Sequence, residues 1–220
     1  MKQLPQVTRK AVDLLLDVRQ RFAIPVVISG CVGPRGDAYR PESIMSRDEA
    51  RGYHSAQIRV LADTPADLVT AMTLTNVPEA TGIVDAAREA GVPVVISFTV
   101  ETDGRLPSGD SLGDAIEAVE RDTDGYAAYY MVNCAHPAHI APALDPEATW
   151  APRLRGVRAN ASKLSHAELD EAEVLDRGDP EELADDYRRL RERFPQLTVL
   201  GGCCGTDHRH VDAISRAFSG

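Results

Sequence analysis

The chain has 220 residues, 43% of them apolar and 26% charged, and its 34 acidic against 24 basic side chains leave a net charge of −10. That is enough apolar material for one buried core, and the acidic balance excludes a nucleic-acid surface or an anionic membrane partner, each of which needs a basic patch. No apolar run approaches the roughly 18 residues of a membrane span, and Asp13, Asp17 and Arg19 interrupt any signal-peptide core, so a cytoplasmic protein with reduced thiols is expected.

In chain order, an amphipathic pattern over 5–22 predicts a first helix ahead of any strand. Short apolar, β-branched runs then predict six strands: "IPVVISGC", "DLVTAMT", "VPVVISFTV", "YAAYYMVNC", "LRGVRANAS" and "LTVLGGCC". Helical periodicity fills the gaps at 46–62, 77–90, 111–122, 138–150 and 180–193, and a last helix covers 208–218. Strands that are nearly continuous apolar runs and alternate with helices predict parallel pairing, buried on both faces. No linker or low-complexity tract divides the chain, so residues 1–220 read as a single domain. The run "HAELDEAEVLDRGDPEE" at 166–182 reads as a solvated insertion. "PRGDAYRP" reads as a turn, not as an adhesion motif.

The strand "VVISGCVGPRGDAY" opens no helix and lacks the G-x-G-x-x-G fingerprint of a dinucleotide site. The unusual residues collect instead at strand C-terminal ends: Cys31, Thr73, Thr99, Cys134, Asn160, Cys203 and Cys204. One functional rim of that kind predicts a (β/α) barrel of TIM type. Six strands are two short of a closed barrel, which predicts an N-terminally incomplete barrel with its first strands missing. It also predicts open edges that favour a homo-oligomer.

Half of the four cysteines stand side by side in "LGGCCGT". Adjacent strand residues point to opposite faces, so they share a target only where the backbone bends, and the flanking glycines permit the bend. Cys134, Cys203 and Cys204, if the fold places them at the mouths of nearby strands, are expected to converge on one Zn²⁺ with one open position. Such a zinc suits a bound thiol, lowering its pKa while leaving the sulfur nucleophilic, and so points to alkyl transfer to sulfur. Cys31 reads as a small packing residue. A vicinal disulfide in oxidised protein and an anion-binding nest in "GGCCGT" are the rival readings of the pair. Asp207 reads as a helix cap, and His136, His139, His208 and His210 as polar or supporting groups.

"GGCCGT", the strand-end "NC" of "MVNCAHP" and "SGCVGP" together resemble the homocysteine S-methyltransferase family, over essentially the whole chain. The resemblance implies a (β/α)₈ barrel in which Cys134, Cys203 and Cys204 hold zinc. It also implies methyl transfer from a sulfonium-type donor to homocysteine or a related small-molecule thiol, giving methionine. The family's "DGGMGT"-like first strand and second-strand Thr-Asn motif have no counterpart here, and Met72 in "TAMTLTNVPEA" stands where the family has a glutamate for the substrate amino group. Glu101 is the candidate replacement. Asn133, beside the first cysteine, and Asn160, in the position of the family's Pro-Asn pair, are the other candidate substrate contacts. Two alternatives stay open: a catalytically impaired zinc-binding barrel fragment, and a phosphate-binding barrel enzyme with structural cysteines.

Overall fold

The computed structural model describes residues 3–37, 39 and 43–218. Residues 38, 40 and 41 of the "PRGDAYRP" turn lie outside them. Six parallel strands run in sequential order: β1 (Ser29–Val32), β2 (Leu68–Leu74), β3 (Val94–Phe98), β4 (Tyr129–Asn133), β5 (Leu154–Ala159) and β6 (Val199–Gly202). Helices connect them, so every crossover has the form that parallel pairing requires. α1 (Leu4–Arg19) precedes β1; α2 (Arg47–Ala62), α3 (Val77–Ala90) and α4 (Leu112–Asp122) follow the first three strands; α7 (Pro180–Arg193) and α8 (His208–Phe218) flank β6.

The helix boundaries follow local chemistry. Ser46 and Glu49 form a reciprocal capping box at the start of α2, Asn76 caps α3, Ser111 caps α4, and Asp179 followed by Pro180 opens α7. Two expectations are corrected. The predicted helix over 138–150 is a single turn, α5 (Pro137–Ile140), followed by a 3₁₀ turn at Ala141–Ala143, and a second 3₁₀ turn lies beyond the span at Ala151–Arg153. Pro142 and Pro146 remove the donors that a longer helix would need. The predicted first strand from Ile24 begins only at Ser29, because Pro25 supplies no N–H and the Ile28 N–H donates to the Asp67 side chain at 2.7 Å instead of to a ladder.

Along each strand the side chains alternate between two faces. One face, carrying Val69, Ala71, Val94, Ile96, Phe98, Tyr130, Val132 and Val157, is buried under the helices and forms the core. The other is concave: Ser29 of β1, Met72 of β2, Met131 of β4, Arg158 of β5 and Val199 of β6 line one cavity of about 430 Å³. Strands from both ends of the sheet reach one cavity only if the sheet curls, as a barrel wall does. Cys31 also lines it, so it is a residue of the open concave face and not the packing residue expected. Burial pushes its thiol up, partly offset by Arg158. Tyr187 of α7 ties the β5–β6 end together. Its buried hydroxyl accepts from the Ala159 N–H at 2.9 Å and lies 2.6 Å from the Gly201 carbonyl. Among the described residues β1 and β6 are the two edges of the sheet.

Candidate metal and thiol site

The rim at the C-terminal ends of β2, β4, β5 and β6 is held by side-chain amides. Asn133, fully buried at the end of β4, accepts from the Thr73 N–H at 2.9 Å and from the Ser97 hydroxyl at 2.6 Å, and donates to the Thr73 hydroxyl at 2.7 Å. Its amide is therefore committed to the protein itself. Thr73 and Cys134 adopt positive φ values of 59° and 56°, a conformation costly for residues with a Cβ and kept only where the surroundings enforce it. The locked rim turns Cys134 out of the strand direction toward β6.

From β6 the chain bends through Gly202 to the cysteine pair. The Cys203 N–H donates to the Ala159 carbonyl at 2.8 Å, and the Ala161 N–H to the Cys204 carbonyl at 3.0 Å. Gly205 has φ +77°, and a Cβ there would stand 2.6 Å from the Asp176 carbonyl, so the bend requires glycine. Asn160, 2% exposed, joins the two cysteine loops: its amide NH₂ donates to the Cys134 carbonyl at 3.0 Å, and its amide oxygen accepts from the Cys204 N–H at 3.1 Å.

The sulfurs of Cys134, Cys203 and Cys204 consequently lie within 4.8 Å of one another. Cys134 and Cys203, 69 residues apart, are paired as a disulfide with Cα atoms 5.5 Å apart, and Cys204 is free. The expected convergence of the three cysteines is thus present, whereas the closest pairing is Cys134 with Cys203, not the vicinal pair. The donor set fits zinc. Ligating sulfurs on a tetrahedral zinc with Zn–S bonds of about 2.3 Å stand about 3.8 Å apart, and the Cys134 and Cys204 sulfurs are 3.9 Å apart. Burial grades from Cys134 (buried) through Cys203 to Cys204 (exposed), which leaves one side of the cluster open.

That side faces two small adjoining cavities. One, of about 250 Å³, is lined by Tyr39, Asn160, His166, Leu169 and Cys204; the other, of about 120 Å³, by Asp37, Tyr39, Glu101, His166 and Asp170. Glu101 therefore sits in a pocket next to the cluster, and Asn160 contributes to the wall of its neighbour, while Met72 faces the concave cavity instead. The Tyr39 ring stacks on His166 with centroids 3.9 Å apart. Burial first, then the neighbouring Cys204 sulfur, push its phenol up to about 12.

Sequence reasoning missed His166, which lay inside the presumed solvated run. It opens α6 (His166–Glu171) behind a Ser165/Glu168 capping box. That S-x-x-E spacing marks the start of the helix but not the contacts of His166. Two other histidines contact backbone: His136 caps α5 through Nδ1, and the buried His210 contacts the Arg177 carbonyl at 2.8 Å. Asp207 accepts from the Arg209 N–H at 2.9 Å, the cap expected at the start of α8.

A family model for homocysteine S-methyltransferase matches residues 1–218. Homocysteine S-methyltransferase 1 of Arabidopsis thaliana is 24% identical over 94% of this chain and 69% of its own length. Homocysteine S-methyltransferase 3 of the same plant is 23% identical over 89% of this chain, which spans only 58% of that relative. Among solved structures, the apo form of the homocysteine methyltransferase MmuM from Escherichia coli superposes with a TM-score of 0.76 at 21% identity, covering 98% of this chain and 75% of that one. At that identity the likeness establishes the fold: the curled six-stranded sheet is part of a TIM-type barrel. No helix among the described residues is long and apolar enough to cross a membrane.

Proposed function

The chain belongs to the homocysteine S-methyltransferase family, and from that premise we propose that it transfers a methyl group to the sulfur of homocysteine or a related thiol. One observation carries the reading: three cysteine sulfurs within 4.8 Å at the C-terminal rim of parallel strands, open on one side. In reduced protein Cys134, Cys203 and Cys204 would hold zinc, which when bound supplies a place for a fourth sulfur and lowers the pKa of that thiol. The protein's own residues do the rest. Asn133 and Asn160 fix the cysteine loops. Glu101 in its side pocket offers a carboxylate for the substrate amino group, the task Met72 cannot perform. Tyr39, Leu169 and His166 wall the approach to Cys204. In the transfer the substrate sulfur gives up its proton to solvent and forms a bond to the methyl carbon as the donor–methyl bond breaks. A sulfonium donor leaves with that electron pair as a neutral thioether. Thiolate chemistry of this kind suits a reducing compartment such as the cytoplasm.

The test is methyl transfer to homocysteine by reduced, zinc-loaded protein, with Cys31→Ser as the control. Wild type and Cys31→Ser are expected to form methionine at equal rates. A zinc-loaded wild type that forms none favours the second reading, a metal-binding barrel without this activity, which Met72 in the concave face supports.

We also propose that the chain self-associates through its sheet edges. Phe22, Ile24 and Val27, at the approach to the β1 edge, are 58%, 67% and 67% exposed, and edge strands with apolar neighbours recruit other strands. Light scattering should give a mass above that of one chain, reduced by Val27→Lys. A monomer at all concentrations contradicts the proposal.

A further inference from the structure

His166 touches both halves of the site. Its Nε2 lies 2.6 Å from the Cys134 carbonyl oxygen and its Nδ1 lies 3.2 Å from a carboxylate oxygen of Glu101. Both ring nitrogens face acceptor oxygens, one on each half of the site. The Cys134 carbonyl receives a second donor, the Asn160 amide, at 3.0 Å, so both of its lone pairs are engaged. With that carbonyl held and φ at +56°, the peptide plane after Cys134 cannot rotate, and the direction of its Cα–Cβ bond is set. The imidazole is only 12% exposed and lies under the Tyr39 ring, which removes its own freedom to turn. Glu101, at 34% exposure, keeps the outer end of this chain of contacts open to the pocket it shares with Asp37 and Asp170.

We infer that His166 is a positioning residue that ties the Glu101 carboxylate to the backbone of Cys134, coupling occupancy of the acidic pocket to the placement of the Cys134 sulfur. The inference rests on the three cysteines binding metal. It goes beyond that reading because it assigns a role to a residue that is neither a ligand nor a contact of the reacting sulfur. Groups that hold metal ligands in place from behind change metal affinity by about 10–100-fold when lost.

Two near-isosteric variants separate the two ends of the ring. The amide nitrogen of asparagine approximates Nδ1 and that of glutamine approximates Nε2. His166→Asn thus keeps a donor for Glu101 and loses the one for Cys134, and His166→Gln does the reverse. Zinc affinity of the reduced, full-length protein is measured by chelator competition, alone and with ethylammonium chloride added, and thermal melting of each metal-free variant is recorded. His166→Asn is expected to lose about 10–100-fold in zinc affinity, while His166→Gln stays within about 3-fold of wild type. In wild type, ethylammonium, which offers the acidic pocket a cation but the metal no thiol, is expected to change zinc affinity, as linkage between the two sites requires. That change should vanish in His166→Gln. Equal zinc affinity in His166→Asn and wild type overturns the inference, as does equal loss in both variants, which would make the ring mere packing beneath Tyr39. An ethylammonium effect that persists in His166→Gln overturns the coupling. Failure of wild type itself to bind zinc overturns the metal reading, and that is seen before any variant is compared.

Discussion

Cys203→Ser is expected to remove both the proposed metal and the proposed methyl transfer. Cys203 belongs to a group of three sulfurs within 4.8 Å, and the described residues hold no other such cluster of His, Cys, Asp and Glu side chains. A serine hydroxyl stays protonated at neutral pH and is a poor zinc ligand, so the variant would offer only two thiolates, too few to retain the ion. Without a metal to lower its pKa, the substrate thiol is mostly protonated near neutral pH and reacts slowly. Methyl transfer is expected to fall by a factor on the order of 10³ or more, a barrier increase of about 4 kcal/mol. Cys134→Ser and Cys204→Ser should behave alike, and zinc content by elemental analysis should fall in step with rate. Full zinc retention in any of the three removes that residue from the ligand set. Thiolates this close to one another oxidise readily once a metal leaves, so peroxide should expel the metal and reduction should restore its uptake.

Asn160→Ala should weaken the site without touching a ligand atom. The amide of Asn160 bonds both cysteine loops, donating to the Cys134 carbonyl and accepting from the Cys204 N–H. Alanine leaves the Cys204 N–H without this acceptor beside a buried rim. The expected loss is about 1–3 kcal/mol of stability in metal-free, reduced protein, measured by urea unfolding. The metal-loaded protein should show a further drop of about 10–100-fold in zinc affinity. Asn160→Asp restores the acceptor but not the donor and adds a negative charge among thiolates, so it should bind zinc no better than the alanine variant. Unchanged affinity in both variants would mean that the loops hold their places without the clamp.

Much of this was legible in the chain. α7 and α8 end where the periodicity ends, because Asp179–Pro180 fixes the start of one and Asp207 caps the other. The cysteine cluster was visible because adjacent cysteines between glycines serve poorly as core. Three things were hidden, each for a physical reason. The span 138–150 carries helical spacing, but its prolines withhold the donors that a helix needs. Cys31 sits in a strand that reads as buried, and only the pairing order shows that its side chain points to the concave face. The role of His166 depends on Glu101 and Cys134, 65 and 32 residues away, so no local pattern announces it. Asn133 showed the opposite: its neighbour Cys134 marked it as a site residue, and the fold uses its amide to lock Thr73.

The most direct test of the central claim is a cobalt(II) titration of the reduced protein, followed by addition of homocysteine. Cobalt takes the place of zinc at tetrahedral sulfur sites and reports each bound thiolate as a charge-transfer absorption. The account predicts saturation at about one metal per chain, a sulfur-to-metal band absent in Cys134→Ser, Cys203→Ser and Cys204→Ser, and a further rise when homocysteine adds a fourth sulfur. A band that survives all three substitutions, or one that homocysteine leaves unchanged, would contradict it.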